Sequence, residues 1–289
     1  MKDIICARNL KFDYIRRDDE GNVSGIETAL DHVSLDIAEG SFVGILGANG
    51  SGKSTFARHL NALLVPEDGT LWVDQMDTSN KELLLKIRET AGMVFQNPDN
   101  QIIATQVEED VAFGPENMGV PEEELRRRVD KSLATVHMSA FKKSSPNRLS
   151  GGQKQRLAIA GVLAMQPKCI VLDEPTAMLD PMGRREVLSA VRELNRELGI
   201  TIILITHYME EVTEADQLFV MKKGKLLMQG TPKQVFVRTE ELKSAGLSVP
   251  QITELAGELK KSGLPLPDGI LTKEELANEL SHYFRQSRV

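Results

Sequence analysis

The segment Gly47-Ala-Asn-Gly-Ser-Gly52-Lys53-Ser54 constrains this chain more than any other stretch of it. A short apolar run at residues 43–46 precedes it and a helical pattern follows it. The segment fits G-x-x-x-x-G-K-[ST], in which glycines let successive backbone N–H groups point inward at phosphate oxygens. The N-terminus of the following helix adds positive potential. On this pattern Gly47, Asn49, Gly50, Ser51 and Gly52 form an anion cradle with Thr55 beside it, Lys53 reaches terminal phosphates, and Ser54 is a ligand for Mg²⁺.

The remaining runs agree with a strand–loop–helix unit at the centre of an α/β fold. Residues 93–95, 169–172 and 201–205 are further strand candidates, alternating with longer helical patterns, which predicts a mainly parallel buried sheet. Helical patterns ending at Pro167 and Gly199 precede the last two, and Pro181 opens the helix after Asp180. Residues 3–42 predict short strands and turns, with Gly21, Asn22 and Gly25 in a charged loop after Tyr14, as a small antiparallel sheet beside the core. Pro98, Pro115, Pro121 and Pro146 break residues 97–150, where Leu125, Val129, Leu133 and Val136 share one helix face, so this segment is expected to be a helical insertion. Glu122, Glu123 and Glu124 ahead of Arg126, Arg127 and Arg128 suit the helix dipole and a solvated face. Beyond Gly230, Ile252, Leu255 and Leu259 form one stripe; a capping box at Thr272-Lys-Glu-Glu275 opens another with Leu276, Leu280 and Phe284. Those stripes must pack on something.

Composition bounds the function. At 289 residues the chain exceeds the roughly 250 residues at which single cores stop growing, so a large domain with a smaller one is expected. With 35 Lys and Arg against 42 Asp and Glu, a net charge of −7 argues against nucleic acid as an obligate partner, yet leaves a small anionic ligand open. No apolar run approaches the ~20 residues that cross a bilayer, and no signal peptide opens the chain, so a soluble cytosolic protein is expected. Cys6 and Cys169 are expected to remain reduced thiols.

Two further elements carry chemistry. In Cys169-Ile-Val-Leu172-Asp173-Glu174 an apolar strand ends in two carboxylates at the rim where open α/β sheets bind ligands. Asp173 suits a Mg²⁺ shell, and Glu174 could orient and deprotonate an attacking water. Leu149-Ser150-Gly151-Gly152-Gln153, followed by Lys154-Gln-Arg156, opens another helix and is a phosphate receptor in its own right. With it the chain resembles an ATP-binding cassette (ABC) ATPase, in which this signature in one subunit completes the ATP site of the other.

The resemblance implies a P-loop NTPase (RecA-like) core with an N-terminal antiparallel β subdomain, an α-helical insertion and a small C-terminal helical domain. It divides the chain into an ATPase domain at 1–235, with a helical subdomain about 97–150, and a C-terminal dimerisation appendage at 236–289. It implies hydrolysis of ATP with Mg²⁺. Tyr14 resembles the aromatic that stacks on adenine, with Phe12 as the competing candidate. Gln96 resembles the Q-loop glutamine that touches Mg²⁺ and the water, and His207 the switch histidine at the γ-phosphate. Asp180 resembles the D-loop aspartate that communicates across the dimer; on spacing alone it is an N-cap before Pro181.

Gln96-Asn-Pro-Asp-Asn-Gln101 and Val107-Glu-Glu-Asp-Val-Ala-Phe-Gly-Pro115-Glu-Asn are similar to the A-component ATPases of energy-coupling factor (ECF) transporters, which include cobalt and vitamin importers. Ser150-Gly-Gly-Gln-Lys-Gln-Arg156 with Ile159-Ala-Gly-Val-Leu163 leans toward the first of two paired ATPases, whereas Pro175-Thr-Ala-Met178 mixes patterns of both, leaving heterodimer and homodimer open. The resemblance implies a second ECF ATPase as partner, a membrane T-component gripped beside Gln96, a substrate-choosing S-component reached indirectly, and a peripheral place on the cytoplasmic face of the membrane. A conventional ABC importer ATPase and a non-transport ABC protein are the alternatives.

Overall fold

The computed structural model describes residues 2–286. The chain opens with two long antiparallel strands, β1 (Asp3–Arg17) and β2 (Val23–Ala38), where short strands and turns are expected. The register shifts repeatedly along this pair, at Ala7/Leu10 and Leu10/Phe12 among other places. Each such irregularity resets the alternation of apolar and polar residues, so one bent strand looks like several short ones in sequence. The reversal occupies residues 18–22, and Gly25 lies within β2.

After β3 (Phe42–Gly47) and α1 (Lys53–Leu60), the chain returns to the first sheet as β4 (Asp68–Val73) and β5 (Met76–Asp77). The sheet order β2-β1-β4-β5 therefore draws two strands from beyond the glycine-rich loop, which the expectation of a sheet built from residues 3–42 did not include. α2 (Leu84–Thr90) leads into β6 (Ala91–Val94); Phe95 already lies outside that strand. The helical insertion contains α3 (Val107–Asn117) and α4 (Glu122–Thr135), followed by α5 (Gly151–Ala164). Val129 and Leu133 of α4 are buried, while Glu122 and Glu124 pair with Arg126, Arg127 and Arg128 along the helix surface.

β7 (Cys169–Asp173), α6 (Pro181–Leu198), β8 (Thr201–Thr206) and the hairpin β9 (Gln217–Lys222) and β10 (Lys225–Gly230) complete a second sheet of order β10-β9-β3-β8-β7-β6. Its pairs are parallel except β9 with β10. Strands β3, β6, β7 and β8 are buried at every residue, which is why their sequences are continuous apolar runs without alternation. Successive side chains still point to opposite faces. Ile170, Leu172, Ile202 and Leu204 join the core formed with α5 and α6, whereas Val171, Ile203, Ile205, Val43 and Ile45 join the core formed with α1 and the antiparallel sheet.

The C-terminal segment comprises α7 (Pro232–Phe236), α8 (Thr239–Ser244), α9 (Gln251–Lys261) and α10 (Lys273–Gln286). Phe236, Leu242, Leu247 and Val249 belong to the main core, so burial does not change hands at residue 236. A separate cluster forms only from α9 onward, around Ala256, Leu266, Ile270 and Leu276. Thr272 and Glu275 make the reciprocal bonds of the capping box that opens α10. Leu255 and Phe284 of the two stripes remain exposed, at 47% and 56%.

Gly92 of β6 lies directly beneath α5: a Cβ there would sit 2.2 Å from Val162 Cγ1. Gly92→Ala is expected to destabilise the fold by about 1–3 kcal/mol through overpacking. Adding Val162→Ala should cost less than the sum of the single changes, because it removes the clash; urea unfolding of the three variants measures this.

Candidate functional site

Parallel pairing brings the ends of four strands to one edge. Leu46 lies opposite Thr206, Asp173 opposite Ile205, and Val94 opposite Leu172. The residues that follow these strands therefore emerge side by side: Gly47 onward, His207, Glu174 and Gln96.

The glycine-rich loop is shaped by its own close contacts. Gly50 and Gly52 have φ of +73° and +99°, and a Cβ on Gly52 would meet the Ala29 carbonyl at 2.4 Å. Ser51 N–H donates to Ala48 O at 3.1 Å, and Gly224 N–H in the β9–β10 turn donates to Ser51 O at 3.0 Å. α1 starts at Lys53 behind Gly52, with no side-chain cap on its N–H groups. The Ser51 hydroxyl is buried without a partner. Lys53 is 5% exposed; its Nζ donates to Gly47 O at 2.8 Å and Ala48 O at 3.1 Å, and lies 3.9 Å from Glu174 Oε1. Burial draws the Lys53 pKa down, and the Glu174 and Asp173 carboxylates oppose that shift. Asn49, Gly50, Ser51, Gly52, Lys53, Ser54, Thr55, Gln96 and Glu174 line a cavity of about 370 Å³.

Facing the loop, Asp173 accepts a hydrogen bond from Ser54 Oγ at 2.9 Å. Its carboxyl is held above the usual range mainly by burial, partly relieved by the Ser54 bond. Glu174 leaves the strand with φ of +48°, a conformation that costs a non-glycine residue about 1–3 kcal/mol. Its N–H donates to Ile205 O at 2.9 Å, which fixes the turn. One oxygen of Glu174 then meets Gln96 Nε2 at 3.4 Å and His207 Nδ1 at 3.5 Å. Thus Lys53, Gln96 and His207, distant in sequence, surround a single carboxylate. A hydroxyl and a carboxylate beside an anion cradle form a hard oxygen donor set, which suits Mg²⁺.

Tyr14 stands at the rim, its hydroxyl 3.4 Å from Thr55 Oγ1. Phe12 packs edge-on against Tyr14 and against His59, and belongs to the buried side of this wall. Ser150, Gly151, Gly152, Gln153 and Asp180 do not line the cavity. Ser150 and Gln153 instead exchange the two bonds of a capping box at the start of α5, and Asp180 Oδ1 accepts from Gly183 N–H at the start of α6. The two helix starts touch: a Cβ on Gly152 would lie 2.9 Å from Gly183 Cα. Ser150, Gly151 and Asp180 are exposed, as are the flanking Met178 and Met182.

Several participants are absent from the sequence expectations. Gln155 Nε2 donates to Phe95 O, and Lys154 pairs with Asp99 at 2.7 Å, tying α5 to the segment after β6. Glu211 is buried between Thr176 and Thr206. Lys154, Gln155 and Asp99 lie inside segments already singled out, but their pairing, like that of Glu211, comes only from the tertiary fold. Next to Gln96, exposed Leu85, Ile103 and Phe113 rim an apolar groove of about 630 Å³ between α2, α3 and α5.

The sequence model for the family described as "ABC transporter" matches residues 30–177. The energy-coupling factor transporter ATP-binding protein EcfA1 of Clostridium perfringens is 54% identical over 279 residues, covering 96% of this chain and 98% of the relative. The protein of the same name from Caldanaerobacter subterraneus subsp. tengcongensis is 57% identical over 273 residues, covering 94% and 97%. Among solved structures, cbiO1 from Clostridium perfringens, described as part of the ABC transporter complex cbiONQ, superposes with a TM-score of 0.74 at 39% identity, covering 90% of this chain and 100% of that one. The ATP-binding cassette MJ0796, in a dimeric post-hydrolysis state bound to ADP and Pi, superposes with a TM-score of 0.69 at 31% identity, covering 79% and 98%.

Because the Asp173 pKa is raised in the folded chain, the folded state resists its ionisation more than the unfolded state does. That penalty is fully present above the folded pKa and disappears as pH falls through it toward the unfolded value, about 3.9. Asp173→Asn, whose amide oxygen can still accept from Ser54, is expected to raise the thermal midpoint of the ligand-free protein at pH 7. The gain should be about 2–4 °C per kcal/mol relieved and should shrink on acidification, which calorimetry over pH 4–7 checks.

Proposed function

The chain belongs to the ABC transporter family and is an ATPase of the energy-coupling factor type; on that premise we propose that it is one of two paired motor subunits driving a micronutrient importer. The observation that carries the proposal is the convergence of Lys53, Gln96 and His207 on the Glu174 carboxylate, beside a loop built to hold phosphates.

In this reading ATP lies on the glycine-rich loop, with its phosphates against the N–H groups of residues 49–55 and Lys53, and its base against Tyr14. Lys53 exchanges its carbonyl partners for phosphate oxygens. Ser54, Asp173 and Gln96 would hold Mg²⁺, which supplies neutralising charge for the phosphates when bound. Glu174 accepts a proton from the attacking water as oxygen bonds to the γ-phosphorus and the bond to the β–γ bridging oxygen breaks, the electron pair leaving with ADP. His207 steadies the γ-phosphate, and Gln96 orients the water.

The starts of α5 and α6 lie outside the cavity and exposed, which supports a second role. Ser150, Gly151, Gly152 and Gln153, with Asp180, face the nucleotide of a second ATPase in a head-to-tail pair, and the partner returns the equivalent residues. A related ECF ATPase is the favoured partner, with a second copy as the alternative. The apolar groove beside Gln96 suits helices of a membrane T-component, and an S-component selects the cargo, a vitamin, metal ion or other micronutrient. No helix among the described residues is long and apolar enough to cross a membrane. In this reading the chain works as a peripheral subunit on the cytoplasmic face. Nucleic acid has no part in the cycle.

Two outcomes are expected for the transporter purified from detergent-solubilised membranes. Glu174→Gln should keep ATP-driven dimerisation but lose about 10²–10⁴-fold in turnover, the range for a general base. Undiminished phosphate release by that variant would remove Glu174 from the role. Lys53→Met should weaken binding of a fluorescent ATP analogue by roughly tenfold to a hundredfold, corresponding to one charge-assisted contact of about 1.5–3 kcal/mol.

A further inference from the structure

We propose that Glu211 is a positioning residue that sets Glu174 and His207 against each other and ties both to the start of α6. The inference rests on the roles proposed above for Glu174 and His207.

Glu211 is 2% exposed, one of two buried carboxylates among the described residues, the other being Asp173. Burying a carboxylate is costly unless each oxygen is paired. Here Thr176 Oγ1 donates to Oε1 at 2.6 Å and Thr206 Oγ1 donates to Oε2 at 2.7 Å. Thr176 follows Glu174 by two positions, and Thr206 immediately precedes His207. Each carboxylate oxygen therefore holds the chain segment that carries one of the two groups acting at the reaction centre.

The third attachment comes from α6. Arg184 Nε lies 3.6 Å from Glu211 Oε1, and the Arg184 guanidinium carbon stands 3.7 Å over the Tyr208 ring. That ring packs against the His207 imidazole, with centroids 4.1 Å apart. Thr206 Oγ1 also accepts from Tyr208 N–H at 3.0 Å. Contacts thus run from Glu211 through Thr206 and Tyr208 to His207, across to Glu174, and back through Thr176. Glu174, with its strained positive φ, is the member that most needs fixed neighbours. Since α6 begins beside Asp180, displacement of that helix at the dimer interface would be felt at His207 and Glu174 through Arg184 and Glu211.

The chemistry calls for a carboxylate at position 211. Two hydroxyls donate to it and a guanidinium flanks it; glutamine has the same shape but presents N–H to one hydroxyl and removes the charge facing Arg184.

The test uses the whole purified transporter, with Glu211→Gln, Thr206→Val, Thr206→Ser, the double variant Glu211→Gln/Thr206→Val, and Glu174→Gln as the reference. Displacement of a positioned group by about 1 Å can cost on the order of a hundredfold. Glu211→Gln and Thr206→Val are each expected to lower kcat roughly tenfold to a hundredfold. KM for ATP, binding of a fluorescent ATP analogue and the unfolding midpoint should stay close to wild type. Thr206→Ser, which keeps the hydroxyl, should retain turnover, and the double variant should be no slower than the slower single one, because both changes break the same bond. Wild-type turnover in Glu211→Gln, a loss of ATP affinity or stability equal to the loss of kcat, or multiplicative effects in the double variant would each overturn the inference. An active Glu174→Gln would remove instead the reading of the site on which it rests.

Discussion

The site depends on burying an ammonium and a carboxylate, with a second, half-buried carboxylate beside them, at a single sheet edge. Lys53 is 5% and Asp173 7% exposed, and each would be costly to desolvate alone. They are tolerable together: Lys53 shares its protons with two loop carbonyls and faces Glu174, while Ser54 donates to Asp173. This arrangement holds only if β3, β7 and β8 end level with one another, as their register makes them do. A slip of one residue would turn every side chain of a strand to the opposite face. It would exchange residues such as Leu172 and Val171 between the two cores. The division of apolar residues between two cores thus fixes the alignment of the charged ones.

What was legible in the sequence was local. The glycine-rich loop, the continuous strands around Val43, Ile170 and Ile203, and the Thr272 cap are each specified within a few residues, so pattern alone finds them. Strands β4, β5, β9 and β10 were not among the expected strands; β4 reaches its place only by pairing with β1, and β9 only by pairing with β3, far along the chain. Around residue 236, Phe236 and Leu242 bury themselves in the main core, as Val235 does before them. Glu210 and Glu211 make the limit plain. They are adjacent and identical in type, yet Glu210 is exposed and Glu211 buried. Only Thr176, Thr206 and Arg184, brought in by other elements, distinguish them.

Some of the strain lies where chemistry is proposed. Glu174 takes a left-handed backbone, Asp173 is buried against its preference for water, and the Ser51 hydroxyl lacks a partner. Each feature opposes stability in the ligand-free chain. A bound cation would relieve the cost at Asp173 by supplying charge beside its carboxylate. Ligand binding that relieves such a cost stabilises the folded chain by mass action.

The acidic net charge of −7 was a poor guide to the ligand, and the reason lies in where the positive potential sits. Much of it is carried by backbone N–H groups at the starts of α1, α5 and α6, which formal charge does not count. The start of α1 faces the cavity, while those of α5 and α6 lie side by side and point elsewhere. Their backbones can come so close only because Gly152 and Gly183 lack side chains; a Cβ on Gly183 would lie 2.8 Å from the Asp180 Oδ1 that caps the same helix. Under the proposed head-to-tail pairing, the surface at the starts of α5 and α6 would serve the partner's nucleotide and not the one held at α1. The crossing of Gly152 and Gly183 is then what lets one chain present both surfaces at once.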